Sequence, residues 1–123
     1  MANLTGEELK SIVEYWKDEL GLQDWKIGIS ICRRDDMVLK EACGKNQYMH
    51  QSKLSLIRIL DEIDYGEERV EKQDQEKIIV HEILHCVFST IDTDDVIKDR
   101  VQHQMIETLA KALVNAKRYK TEV

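Results

Sequence analysis

The chain of 123 residues contains no proline, five glycines, one phenylalanine and three cysteines. Because it also has no internal repeat, low-complexity stretch or Gly/Ser-rich linker, we expect a single domain over residues 1–123. The cysteines are odd in number and form no CxxC pair, which predicts reduced thiols. Cys32 and Cys43 fall on two candidate strands, so a disulfide between them is the minor alternative. The third cysteine is Cys86.

Long apolar runs are also lacking. No stretch approaches the roughly 18 apolar residues of a membrane span, and the polar, acidic start Met1–Glu8 does not resemble a signal peptide. Eighteen basic against 24 acidic residues give a formal charge of −6, which speaks against a protein that grips nucleic-acid phosphates. We therefore expect a cytoplasmic protein without membrane or nucleic-acid partners.

Hydrophobic periodicity predicts an α+β fold, in the order helix, three strands and two helices, with a small sheet of three or four strands. Thr5 and Glu8 form a capping box at the start of the first helix. Gly44-Lys45-Asn46 is interpreted as a turn or strand irregularity, and the charged stretch Asp61–Gln75 as a solvated loop, with a substrate-facing rim as the alternative. The predicted helices are Thr5–Leu20, Asp74–Ser89 and Val96–Tyr119, and the predicted strands are Trp25–Cys32, Met37–Cys43 and Leu54–Leu60.

The motif that carries chemistry lies in the second long helix, which is apolar nearly all round and therefore predicted to be buried. His81-Glu82-Ile83-Leu84-His85 matches the HExxH pattern. Residues four apart lie one turn apart on the same face, so His81 and His85 can bind one metal ion. Glu82 projects about 100° away, beside the ion, where it can act as general base on a metal-activated water. A structurally satisfied histidine pair is the alternative, but two unpaired histidines inside an apolar helix would cost free energy.

A third protein ligand must come from elsewhere, because catalytic zinc usually has three plus water. The glycine and histidine of a HExxHxxGxxH site are replaced by Phe88 and Ile91, which excludes a metzincin pattern. On the last helix, His103 and Glu107 lie one turn apart. Imidazole is a good zinc ligand, so we favour His103, with Glu107 as the competing ligand or as a partner that orients a ligand imidazole.

The chain resembles small gluzincin-type zincins of phages and prophages. The likeness lies in its length, its helix-then-sheet start, the HExxH motif on a central helix and the following segment His103–Ala110. The resemblance implies a minimal zincin-like fold, a bound Zn²⁺ ion, peptidase activity on a peptide or protein substrate, and a location in the host cytoplasm. In that family the third ligand is usually a glutamate, which would favour Glu107, so His103 is a departure.

The sequence thus predicts a zinc-dependent metallopeptidase with Glu82 as general base and His81, His85 and His103 as metal ligands. The substrate is expected to lie along an exposed sheet edge. The alternatives are a zincin-scaffold binding protein that docks a host or phage protein, and a hydrolase of other substrates. Tyr48 and Tyr65 are two candidates for an oxyanion donor, and the sequence favours neither.

Overall fold

The computed structural model describes residues 3–37, 42–66, 71–91 and 94–122. Within them the chain has the predicted α+β fold, with four α-helices and one three-stranded mixed sheet. Short 3₁₀ turns follow the first strand (Arg34–Asp36) and the third helix (Phe88–Ile91). The elements are α1 (Gly6–Glu19), β1 (Lys26–Cys32), β2 (Gly44–Met49), β3 (Leu54–Leu60), α2 (Glu62–Tyr65), α3 (Gln75–Val87) and α4 (Val96–Glu122).

Helix α1 forms as the sequence predicts. The Thr5 hydroxyl accepts from the Glu8 amide, and the Glu8 carboxylate accepts from the Thr5 amide, which completes the capping box. The helix ends before Gly21, whose φ of +69° suits glycine better than any other residue. Its apolar stripe, Leu9, Val13 and Trp16, is buried, and it packs against α3 and β1.

The sheet has the strand order β1-β3-β2, so β3 is central. β1 runs parallel to β3, with Lys26 opposite Leu54, whereas β2 runs antiparallel, with Gly44 opposite Ile59. Helices α1 and α3 cover one face, and Ile57 and Ile59 of β3 are fully buried beneath them. This topology leaves β2 as an antiparallel edge strand beside α3.

The second strand differs from its prediction. The predicted strand Met37–Cys43 lies partly outside the described residues, and its described ends are not in a strand. The strand begins instead at Gly44, so the interpretation of Gly44-Lys45-Asn46 as a turn is wrong. Glycine and asparagine disfavour strands locally, but pairing with β3 and side-chain bonds from Asn46 to α3 override that preference.

Helix α3 begins at the N-cap Asp74, whose carboxylate accepts from the Lys77 amide. Its apolar side chains are buried on several sides, with Ile79, Val80 and Ile83 at 0% exposure. The prediction of a central, buried helix is therefore confirmed. In the described part of the chain, no helix is long and apolar enough to cross a bilayer.

Helix α4 packs against α3 along a narrower stripe than the sequence suggests. Ile106, Ala110 and Val114 are buried. Helical spacing of apolar residues places Val101 and Met105 on the same stripe, but each is 48% exposed, so this prediction is wrong. Among the described elements α4 packs mainly against α3, so only a narrow face of α4 is buried.

A polar junction joins α1, α3 and α4 behind the core. The Trp16 indole N–H donates to the Glu76 carboxylate at 3.0 Å, and the Lys117 ammonium donates to the same carboxylate. Next to it, Arg118 forms a bidentate pair with Asp74 at 2.7 and 2.9 Å. These bonds hold the C-terminal half of α4 against the first turn of α3.

The three cysteines are thiols, as predicted. Cys32 pairs with Leu60 from one side, and the Cys43 carbonyl accepts from the Leu60 amide on the other side. Two strand spacings of about 4.8 Å therefore separate Cys32 from Cys43. That separation exceeds the reach of a disulfide, which excludes the alternative pairing.

Candidate metal centre

Helix α3 presents its two motif histidines on one face, one turn apart. The ring centroids of His81 and His85 are 5.5 Å apart and tilted by 58°. Both rings are partly exposed; the His81 side chain is 22% accessible. The expectation of imidazoles in a dry interior is therefore wrong, because this face of α3 forms the floor of an open cleft and only the opposite faces pack into the core.

Helix α4 brings both third-ligand candidates to these rings. The His103 ring lies 5.0 Å from the His85 ring, centroid to centroid. The Glu107 carboxylate lies 2.7 Å from Nδ1 of His81. His103 and Glu107 are both about half exposed, at 51% and 57% of their side-chain surface. Pairwise contacts with the two motif rings thus bring both His103 and Glu107 of α4 next to α3.

The hydrogen bonds of His81 and His103 restrict which ring nitrogen can bind a metal. Nδ1 of His81 faces the Glu107 carboxylate, and Nδ1 of His103 lies 2.9 Å from the Asp99 carbonyl. A carboxylate and a carbonyl only accept, so each Nδ1 is the donor in these contacts, and Nε2 is the ring nitrogen left to face a metal. This arrangement suits His103 as a ligand and Glu107 as a residue that orients the His81 ring.

Glu82 occupies a different environment from the histidines. It is 6% exposed, and burial raises its pKa to about 7; the Lys45 charge and the Asn46 backbone N–H oppose that rise, and the Glu107 charge adds to it. A carboxyl group with a pKa near neutrality is well matched to proton transfer at neutral pH. The sequence predicted its role but not this burial.

The edge strand β2 forms the wall of the cleft above Glu82. The bond from the Leu60 amide to the Cys43 carbonyl fixes the alternation of the antiparallel ladder. The backbone groups of Gly44, Asn46 and Tyr48 therefore point away from β3, towards the outer edge of β2. At this edge the Asn46 N–H bonds the Glu82 carboxylate, and no strand among the described residues pairs with it.

Gly44 is required for the close approach of β2 to α3. A Cβ atom at this position would lie 2.6 Å from Cγ2 of Ile78 and 3.1 Å from Oε2 of Glu82. The first distance is shorter than van der Waals contact allows, so any side chain would push the strand away from the helix. The absent side chain thus lets the wall of the cleft lie directly on Glu82.

The cleft consists of two adjoining pockets of about 310 and 320 Å³, which share Gly44, His81 and Glu82. Tyr65 lines the first pocket and Tyr48 the second, so the structure places each oxyanion-donor candidate on a different side of Glu82. The charged stretch Asp61–Gln75 is a rim of the cleft in part, because Tyr65, Glu71, Lys72 and Asp74 line the first pocket. It also contains the short helix α2.

The donor types fit zinc, which is commonly bound by imidazole nitrogens together with histidine or glutamate. Within residues 3–37, 42–66, 71–91 and 94–122, however, no group of three or more His, Cys, Asp or Glu side chains is arranged to hold a metal ion. Metal loading would therefore require the imidazoles to turn towards one point.

Comparisons with protein families, with characterised proteins and with solved structures gave no match to this chain.

The fourth histidine does not line the cleft. His50 lies in the polar stretch Gln47–Gln51, which predicts a surface position; it is exposed, and its Nδ1 lies 2.7 Å from the Ser89 hydroxyl. Sequence reasoning missed Lys45 and Asn46, which line the cleft next to Glu82. The only signal for them is the alternation of β2, which is weak because that strand contains few apolar residues.

Proposed function

We propose that this protein is a zinc-dependent peptidase in which Glu82 acts as the general base. The observation that carries the proposal is the convergence of His81 and His85 of α3 with His103 of α4, beside a buried carboxyl group and beneath a free strand edge. Peptide hydrolysis needs these parts together: a metal site, a proton acceptor and a surface that holds extended backbone.

His81, His85 and His103 would hold the ion, and Glu107 would orient His81 through Nδ1. When bound, zinc lowers the pKa of a coordinated water and polarises the substrate carbonyl. Glu82, buried beside the motif histidines, would accept the proton of the attacking water and donate it to the leaving amine.

The substrate is held by the backbone of β2. The outward-facing backbone of β2 around Gly44 offers hydrogen-bonding groups to an extended peptide, which would then lie beside Glu82. Tyr48 and Tyr65 flank that position and are the side chains to test as donors to the developing oxyanion.

The first test is zinc analysis of the wild type beside His103→Ala and Glu107→Ala. We expect about one zinc per chain in the wild type and a loss of stoichiometric zinc in His103→Ala, because a ligand is removed. Glu107→Ala should retain zinc with an affinity reduced about 10- to 100-fold, as expected for a residue that orients a ligand. Loss of zinc in Glu107→Ala alone would reverse the two assignments.

The second test separates catalysis from binding. Glu82→Gln should keep zinc but reduce peptide cleavage by about 10² to 10⁴-fold, because the amide cannot accept the proton. Glu71→Gln is the matched control, since Glu71 lines the same cleft and its side chain is 74% exposed. Equal cleavage by Glu82→Gln and the wild type would contradict the proposed role of Glu82.

A binding protein on the same scaffold is the second candidate function. The observation that favours it is that the described side chains do not gather around one point as a metal site would require. If the wild type takes up no zinc and cleaves no peptide from a broad library, this function replaces the first.

A further inference from the structure

A buried polar cluster connects the edge strand to α3 directly behind Glu82. Asn46 of β2 and Ser55 of β3 are only 5% and 7% exposed. The Asn46 amide group donates through Nδ2 to the Glu82 backbone carbonyl at 2.7 Å and contacts Sγ of Cys86 at 3.3 Å. Burying an amide costs free energy unless its hydrogen bonds are satisfied, and here they are. The buried Asn46 amide thus forms a fully hydrogen-bonded link between β2 and α3, and we ask what this link does for the site.

The Glu82 carbonyl and Ser55 act on opposite ends of the Asn46 amide. The carbonyl only accepts, so Nδ2 faces it; a flipped amide would place two acceptors against each other. At the other end, the Ser55 hydroxyl donates to Oδ1 of Asn46 at 2.6 Å and satisfies this buried oxygen. The bridge from strand to helix is therefore directional.

Asn46 holds Glu82 at both of its ends. Besides the bond from Nδ2 to the Glu82 carbonyl, the Asn46 backbone N–H hydrogen-bonds the Glu82 carboxylate. The Glu82 carbonyl lies inside α3, so the Asn46 bond adds a constraint that an ordinary helix residue lacks. A single strand residue therefore relates the position of the carboxylate to the edge on which a peptide would lie.

We propose that Asn46, whose amide oxygen is satisfied by Ser55, is a positioning residue that sets the distance between the peptide-binding edge of β2 and the general base Glu82. This inference rests on the proposed peptidase function. It assigns Asn46 no contact with the reacting atoms; its effect reaches the reaction through Glu82. A misplacement of about 1 Å in such a geometry can reduce a rate by about 100-fold.

The test compares Asn46→Ala with Gln47→Ala. Gln47 is the matched control, because it is the next residue on β2 and also carries an amide, but it is exposed and contacts Arg58 rather than α3. Two smaller changes act on the support of the amide: Ser55→Ala removes the donor to Oδ1 and the Ser55 contact with the Cys86 thiol, and Ser55→Thr keeps the hydroxyl. The readouts are kcat and KM on a cleaved peptide, zinc affinity, and hydrogen exchange of the residue 46 amide in the metal-free protein.

We expect Asn46→Ala to lower kcat by about 10- to 100-fold while KM and zinc affinity change by less than about threefold. Its residue 46 amide should exchange about tenfold faster, because the strand loses its bond to α3. Gln47→Ala should match the wild type in all four measurements. Ser55→Ala should fall between the two, and Ser55→Thr should recover most of the kcat.

Equal kcat and equal exchange in Asn46→Ala and Gln47→Ala would overturn the inference. So would a loss of zinc in Asn46→Ala, because the residue would then support the metal site rather than the base. If the wild type cleaves no peptide, the proposed function fails. Faster exchange at residue 46 in Asn46→Ala alone would in that case still support the assigned link between strand and helix.

Discussion

The two helices that meet at the candidate site are held in very different ways. Helix α3 is enclosed by the sheet, α1 and α4, and its residues Ile79 and Ile83 have no exposure. Helix α4 contacts mainly α3, and its site residues His103 and Glu107 are half exposed. The site thus combines a rigid part, which carries the base and two histidines, with a part that solvent can reach.

This difference predicts which side chains can adjust on metal binding. Exposed side chains change rotamer at little cost, whereas a buried carboxyl group fixed by the strand cannot. On metal loading, the exposed His103 side chain should therefore move, whereas the buried Glu82 side chain should stay in place.

The largest stability difference is expected between the buried face of α3 and the outer face of α4. Ile83→Ala should lower the free energy of unfolding by about 2–5 kcal/mol, because it leaves a cavity in the core. Met105→Ala, at an exposed position of α4, should change it by less than about 0.5 kcal/mol. Urea unfolding measures both. A large cost for Met105→Ala would show that the outer face of α4 is covered in solution.

The next largest effect is expected at Glu82, the buried site residue of α3. In metal-free protein its pKa is raised by burial to about 7, above the ordinary 4.5. Its contribution to stability is therefore fully present below about pH 4.5 and is lost as the pH rises through about 7. Glu82→Gln should be more stable than the wild type at pH 8, by on the order of 2 kcal/mol, and the advantage should vanish at pH 4.

Urea unfolding with a chelator present, repeated from pH 4 to pH 8, measures this difference. A constant difference between Glu82→Gln and the wild type over that range would contradict a buried carboxylate.

The close contact of β2 with α3 is tested by glycine substitution. Gly44→Ala should destabilise the protein by about 1–3 kcal/mol, because its Cβ would overlap Ile78. Gly28→Ala on β1 is the control, since its Cβ would lie at ordinary contact distances, 3.4 Å from the end of the Leu56 side chain and 4.0 Å from the Ser55 carbonyl oxygen. Thermal unfolding of both variants gives the comparison. Similar stability of the two variants would mean that the cleft wall is not in contact with α3.

The smallest effect is expected at the ion pair that joins the helices. The Arg118 guanidinium, aided by the Lys77 amide, holds the pKa of Asp74 below its usual 3.8. The stabilisation is therefore present above that value and is lost as the pH falls below it. Asp74→Asn keeps an oxygen for the helix cap and should cost less than about 1 kcal/mol at pH 7, since solvent screens the pair.

Unfolding at pH 7 and pH 2.5 measures this loss, which should disappear at the lower pH. Arg118→Gln should show the same pattern from the other side of the pair. Unequal effects of the two variants would mean that Asp74 acts mainly as a cap.

The sequence predicted the elements that bury apolar stripes. The capping box at Thr5, the alternation of Ile27, Ile29 and Ile31, and the dense apolar pattern of α3 each have a strong period that packing then reinforces. The sequence-based prediction failed at β2, because its residues Gly44 and Asn46 contact α3 and have low strand propensity. The extent of the α4 stripe was also wrong, because a pattern cannot tell how many neighbours a helix has.

For the site, the spacing of His81 and His85 placed them on one helix face, with Glu82 about 100° away, and the structure brings His103 and Glu107 to them. Whether His103 or Glu107 is the ligand, and which of them orients a ligand ring, depends on tertiary geometry. Likewise, Asn46 is about 36 residues from Glu82 in sequence, and no local pattern links the two.

The hydrogen bond between Trp16 and Glu76 makes the fluorescence of Trp16 a probe of this junction. The indole is 2% exposed and shares its carboxylate partner with Lys117 of the last helix. Tryptophan emission shifts to longer wavelength when the ring meets water, and it responds to nearby charge. Detachment of the C-terminal helix should therefore change the fluorescence of Trp16 before the sheet around Trp25 opens, which gives a label-free signal for partial unfolding.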